Sequence, residues 1–121
     1  FMNEVFTEKK KGYLDTGINI RSLKTMYLTI LPEQRCIKYK EVEIPMTRSE
    51  FDVLLDFAGQ PGRVFTKNQI LQTARSENPQ DEDNAVRCLI AGIRRKLRKY
   101  TNKEYIQTVR GVGYRFVIPE E

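Results

Sequence analysis

The residues best suited to chemistry lie between Asn84 and Tyr100, where Arg87, Arg94, Arg95, Lys96, Arg98 and Lys99 occur with no acid among them. Just before them, Glu77 to Asp83 (ENPQDED) carries four acids and no base. An acidic run opening a helix and a basic run closing it both suit the helix macrodipole, so a solvated surface helix explains part of this pattern. Six cations are more than the dipole requires. Long flexible cations are the groups that grip phosphate oxygens. A further arginine, Arg110, sits beside Gly111 in the stretch RGVG, where a turn has little structural need of a cation.

The same inventory excludes other chemistry. The 121 residues include no histidine, so no Ser-His-Asp triad, Cys-His dyad or imidazole-ligated metal site can form within the chain. Cys36 and Cys88 are its only cysteines and neither belongs to a CxxC pair, which excludes a zinc knuckle and suits a reducing cytoplasm. The longest apolar run is four residues, Cys88 to Ala91, far short of a membrane span. No signal-peptide core appears at the N-terminus. No enzyme activity, cofactor or metal is expected, and the chain reads as cytoplasmic. Its 21 lysines and arginines against 16 acids give a net charge of +5 and a pI near 9.3, a balance that favours a polyanionic partner.

These residues need elements to hold them. Residues 1–17, with the run Lys9-Lys10-Lys11, read as an arm or linker. Phe1 before Met2 fits a native start at Met2 or a domain cut from a longer protein. From Ile18 to Ile44 the pattern is strand-like: Met26–Leu31 and Arg35–Tyr39 flank a turn at Pro32–Gln34, and Val42–Ile44 follows, as in a small antiparallel sheet with one buried face. Thr47-Arg48-Ser49-Glu50 is a capping box opening a first helix with Phe51, Leu54, Leu55 and Ala58 inward. Pro61-Gly62 stops it. Thr66-Lys67-Asn68-Gln69 is a second box, with Ile70, Leu71 and Ala74 inward. Asp83 or Asn84 can cap a third helix whose core positions Val86, Ile90, Ile93, Leu97 and Tyr100 form one stripe. Tyr105–Val109 and Tyr114–Ile118 then pair as a hairpin around Arg110-Gly111-Val112-Gly113. The expected fold is α+β: a winged helix-turn-helix with an N-terminal antiparallel sheet, three helices and a C-terminal β-hairpin wing. It occupies residues 18–118, with 119–121 as a tail.

The stretch IQTVRGVGYRF, Ile106 to Phe116, resembles the wing signature of OmpR/PhoB-type response-regulator effector domains. Upstream, MTRSEFDVLL (Met46–Leu55), PGRVFTKNQIL (Pro61–Leu71) and VRCLIAGIRRKL (Val86–Leu97) resemble that family's first, second and recognition helices in the expected order. The resemblance covers about Ile18 to Ile118. It implies a DNA-binding transcription regulator of two-component systems that binds double-stranded DNA as tandem copies. The third helix would enter the major groove and Arg110 the minor groove. The loop before the third helix, here Arg75, Ser76, Glu77, Asn78, Gln80, Asp81 and Glu82, corresponds to the segment that contacts RNA polymerase in some members. The chain departs from the family pattern at Arg87, usually an acid, Leu89, often a histidine, Gly92, often polar or cationic, and Arg75, commonly an aromatic.

A helical wheel gives a reading independent of the family. With Val86, Ile90, Ile93 and Leu97 inward, Asn84, Cys88, Ala91, Gly92, Arg95 and Lys99 face outward. Arg87, Arg94 and Arg98 lie on one flank and Lys96 on the other. Arg94, Arg95, Arg98 and Lys99 suit phosphate; Asn84 and Arg87 suit base edges; Cys88 and Ala91 suit a thymine methyl. Gly92 costs about 1 kcal/mol against alanine inside a helix, and either close DNA approach or another element packed against it would explain it. By resemblance Thr108, Arg110, Tyr114 and Arg115 join the DNA-binding set. Packing under the hairpin is the rival reading for Tyr114, and a solvated outward arginine for Arg115. Thr47, Glu50, Thr66 and Gln69 read as caps only. The competing function is a winged-helix protein-interaction module that has lost specific DNA binding, suggested by the small outward residues Cys88, Ala91 and Gly92.

Overall fold

The computed structural model describes residues 23–25, 27–74 and 81–119. The arm at 1–17, the start of the expected sheet and most of the loop before the third helix lie outside them. The chain divides into two compact units at Pro45/Met46.

The first unit is a four-stranded antiparallel sheet in sequential order: β1 (Leu23–Thr25), β2 (Leu28–Leu31), β3 (Cys36–Tyr39) and β4 (Val42–Glu43). The register pairs Ile30 with Ile37 and Leu28 with Tyr39, and all four are buried, as the two-residue period of a strand requires. The Pro32–Gln34 turn is a single 3-10 turn that ends on Arg35 at φ 49°. Arg35 therefore caps the turn, and β3 starts at Cys36, one residue later than the sequence suggests. Tyr39 and Val42 flank a two-residue turn in which Lys40 and Glu41 both take positive φ, 49° and 73°.

The second unit begins with α1 (Arg48–Gly59). The Thr47 hydroxyl accepts from the Glu50 amide at 3.2 Å, and the Glu50 carboxylate accepts from the Thr47 amide at 2.9 Å. Both bonds of the capping box are made. Its buried face is Phe51, Val53, Leu54, Phe57 and Ala58. Leu55 lies only half-buried, and the stripe runs through Phe57 instead, whose ring centroid stands 5.1 Å from that of Phe65.

A strand the sequence reading missed follows: β5 (Val64–Thr66). It joins β6 (Ile106–Val109) and β7 (Gly113–Phe116) in a three-stranded sheet of order β5-β7-β6, so the wing hairpin is anchored by a strand lying between the first two helices. The close approach requires Gly113, where a Cβ would stand 1.9 Å from the Phe65 carbonyl oxygen. Three-residue strands carry too little alternation to stand out in a sequence.

Thr66 and Gln69 exchange the two bonds of a second capping box at the start of α2 (Lys67–Ala74), at 3.2 and 2.9 Å. The Ser49 hydroxyl donates to the Ala74 carbonyl at 3.1 Å, satisfying one of the carbonyls that a helix end leaves open. The Thr73 hydroxyl donates to Asp56 at 2.7 Å.

The third helix, α3 (Glu82–Arg98), starts earlier than expected. Its cap is Asp81, which accepts from the Asn84 amide at 3.1 Å. Asp83 instead pairs with Lys67 of α2 at 3.2 Å. Val86, Ile90, Ile93 and Leu97 are buried. Tyr100 lies past the helix end and is half-buried.

Candidate nucleic-acid interface

The fold turns the long helix so that one row of side chains meets solvent. Asn84, Arg87, Cys88, Ala91, Arg95, Arg98 and Lys99 are all exposed, opposite the buried Val86–Leu97 stripe. The N-terminal half of the row is small and polar beside one arginine, and its C-terminal half is cationic. Arg98 lies 3.4 Å from Glu104, an exposed pair that solvent and salt keep weak.

Gly92 is not on that row. It is buried against α1, where a Cβ would come 2.6 Å from the Glu50 Oε2 atom. The reason is angular: Gly92 lies one turn before Lys96 on the flank facing α1, and Lys96 donates to Glu50 Oε1 at 2.5 Å. Of the two readings of this glycine, packing is the one the geometry supports. Glu50 is therefore more than a cap. It is 6% exposed, and burial alone would push its pKa up. Hydrogen bonds from Lys96 and the Thr47 amide outweigh that and hold it below the usual carboxylate value.

The opposite flank of α3 faces the wing. Arg94 is half-buried and donates to the Ile106 carbonyl and the Thr108 hydroxyl, each at 3.0 Å. Tyr114 is 7% exposed and packs beneath the hairpin, with the Arg94 guanidinium carbon 5.8 Å from its ring centre. Arg115 donates through Nε to Gln107, its cross-strand partner, at 2.6 Å, so it is half-engaged on the sheet rather than wholly solvated. Thr108 keeps an exposed position.

At the wing tip the Val112 amide donates to the Val109 carbonyl at 2.9 Å. Gly111 takes φ 78° at the third position of this four-residue turn, a conformation that favours glycine. The turn leaves Arg110 exposed beside Val112, itself 48% exposed. Sequence reasoning left Val112 out of the site, although its place in RGVG fixes it at the tip.

Of the expected polymerase-contact loop, Arg75, Ser76, Glu77, Asn78 and Gln80 lie outside the described residues. Asp81 and Glu82 are exposed and form the cap and first residue of α3. Among the described residues no group of three or more potential ligands could hold a metal ion, and no helix is long and apolar enough to cross a membrane.

A helix with an exposed cationic row, joined to a three-stranded wing, is a winged-helix arrangement. The model of the family described as "Transcriptional regulatory protein, C terminal" matches residues 41–116. The chain belongs to this family. Among curated relatives, the response regulator ArlR of Staphylococcus aureus (strain Mu50 / ATCC 700699) is 39% identical over 72 residues, covering 60% of this chain and 33% of ArlR. The chain thus spans about a third of that relative's length. The Klebsiella pneumoniae RstA DNA-binding domain, solved in complex with RstA box, superposes with a TM-score of 0.70 at 26% identity, over 80% of this chain and 97% of that one. The Thermotoga maritima OmpR/PhoB homolog DrrB gives 0.71 at 28% identity, over 81% of this chain and 45% of that one. This family member therefore has the OmpR/PhoB-type winged-helix fold expected from its sequence, the fold of DNA-binding transcription regulators.

Proposed function

We propose that this chain is the DNA-binding effector domain of a two-component response regulator or a stand-alone homologue, with α3 in the major groove and Arg110 in the minor groove. The observation that carries this reading is the exposed row Asn84, Arg87, Cys88, Ala91, Arg95, Arg98 and Lys99 on one face of α3, with Arg110 exposed at the tip of the attached wing. In this reading Arg95, Arg98 and Lys99 meet phosphates, which fix register without reading sequence. Asn84 and Arg87 supply donors to base edges, and Cys88 and Ala91 offer apolar surface to a thymine methyl. Thr108 and Arg115 line the wing's approach to the backbone. Tandem copies on DNA, and a polymerase contact around Asp81 and Glu82, belong to the same proposal.

The test is selection of this chain on random duplexes over several rounds at about 100 mM salt, where phosphate contacts alone are already weakened. An enriched motif, repeated at about one helical turn, supports the specific regulator. A second reading, a winged-helix protein-interaction module, is favoured by one feature: Cys88 and Ala91 leave the centre of the exposed row without long donors. Failure to retain any duplex at low salt, with a stable protein complex instead, would select it.

A further inference from the structure

The flank of α3 that carries Arg94 is closed by the wing. One guanidinium reaches three points of the hairpin: the Ile106 carbonyl at 3.0 Å, the Thr108 hydroxyl oxygen at 3.0 Å and the ring of Tyr114, whose centre lies 5.8 Å away. Ile106 and Thr108 are alternate residues of β6, and Thr108 stands opposite Tyr114 in the register. Among the described residues β6 is the outer strand of its sheet, so Arg94 supplies a donor to the strand's open edge. The Arg94 Nε is buried and has no hydrogen-bond partner among the described residues. A phosphate ligand needs a free head on a flexible stem. Arg94 is instead held between helix and strand, while Arg95 and Lys99, one and five positions on, stay exposed.

We propose that Arg94 is a positioning residue that fastens the wing to the recognition helix, acting on DNA through Thr108 and Arg110 rather than by its own contact. The proposal rests on the DNA-binding reading above. A hydroxyl offers one hydrogen and two lone pairs. With Arg94 donating to the Thr108 oxygen, the Thr108 hydrogen remains available to a phosphate oxygen, and its position is fixed relative to α3. Because Arg110 directly follows Val109, the last residue of that strand, the fastening also sets where the wing tip stands. The planar fork of arginine makes both bonds from one nitrogen in a fixed direction, and lysine has no equivalent geometry.

Two measurements on Arg94→Lys, Arg94→Ala, Arg110→Ala and the Arg94→Ala/Arg110→Ala double variant decide it. The first is hydrogen exchange in the free protein. Both Arg94 variants should speed exchange at the amides of residues 107–109 by about tenfold, the equivalent of losing roughly one net hydrogen bond, with the α1 and α2 amides unchanged. Unchanged exchange at 107–109 would overturn the fastening. The second is duplex affinity as a function of salt. The fastening predicts that Arg94→Lys weakens binding about as much as Arg94→Ala, although charge is retained, and that adding Arg110→Ala to Arg94→Ala costs less than about a further twofold. A direct phosphate contact predicts the reverse: Arg94→Lys close to wild type, and losses at 94 and 110 that multiply, with the log-log salt slope falling by about 0.9 for each. If the wild-type chain fails to bind any duplex, the functional reading falls together with the DNA half of this proposal. Hydrogen exchange still decides whether Arg94 holds the wing.

Discussion

The carboxylate of Glu50 lies where a side chain on Gly92 would have to begin, with Oε2 2.6 Å from the ideal Cβ position. A carboxylate at the end of a side chain can usually swing away, but this one is fixed by the Thr47 amide and by Lys96. Gly92→Ala should therefore destabilise the fold by about 1–3 kcal/mol, the cost of unmaking hydrogen bonds to a buried charged group, despite the gain of about 1 kcal/mol in helix propensity. In Glu50→Ala, which opens the space, the same Gly92→Ala change should be neutral or stabilising. Urea denaturation of the four variants measures the coupling, and simple additivity would show that the two residues do not meet.

The Glu50 carboxyl also makes stability depend on pH. Burial raises its pKa, but Lys96 and the Thr47 amide lower it further, so the folded value lies below the unfolded one. The unfolded chain then binds more protons in the acid range, and stability falls as pH falls. The contribution is present in full above the unfolded glutamate value of about 4.3 and is lost as pH falls through the lower, folded one. Glu50→Gln should be less stable than wild type at pH 7 and show a shallower loss across that window. Parallel stability curves for the two proteins would assign the acid sensitivity elsewhere.

The β3–β4 turn places Lys40 and Glu41 at φ 49° and 73°. Side chains other than those of glycine, asparagine and aspartate rarely adopt this left-handed region, at a cost of roughly 1–2 kcal/mol per residue. Lys40 recovers part of its cost by lying 4.6 Å from the Tyr27 ring centre, whereas Glu41 has the larger positive φ and stands exposed. Glu41→Gly should raise stability by about 0.5–1 kcal/mol, seen as a higher melting temperature. A fall would mean that the turn is held by the Glu41 side chain.

The two cysteines should separate cleanly in labelling. Cys36 is buried, and burial together with the nearby Glu43 raises its thiol pKa, while Cys88 is exposed on α3. Iodoacetamide at neutral pH should modify Cys88 first, by mass spectrometry of the native protein. If α3 enters the major groove, saturating duplex should protect Cys88, and the prelabelled protein should bind at least about tenfold more weakly, since a bulky adduct displaces base contacts. Labelling that is indifferent to DNA would take Cys88 off the contact surface.

Much of this was legible in the sequence because it rests on local rules. Both capping boxes, the Val86–Leu97 stripe and the glycine-turned wing follow from spacing and side-chain chemistry, and the structure contains them. What the sequence hid is tertiary. Gly92 reads as outward on a wheel centred on Ile90 and Ile93, because a wheel does not show that α1 covers one flank with Glu50. Arg94 reads as a free cation, because nothing local shows that the wing folds back onto it. Asp81 is hidden as the cap because Asp83 and Asn84, two and three residues on, have the same capping chemistry. The strand at Val64–Thr66 is too short for its alternation to be seen.

The central claim, that the exposed row of α3 and the wing tip grip duplex DNA, is tested most directly by the salt dependence of binding. Six phosphate contacts predict a log-log slope near −5, at roughly 0.9 per contact. Arg95→Ala/Arg110→Ala should weaken binding and flatten that slope by about two. Wild-type affinity with an unchanged slope in the double variant would contradict the docking of α3 and the wing.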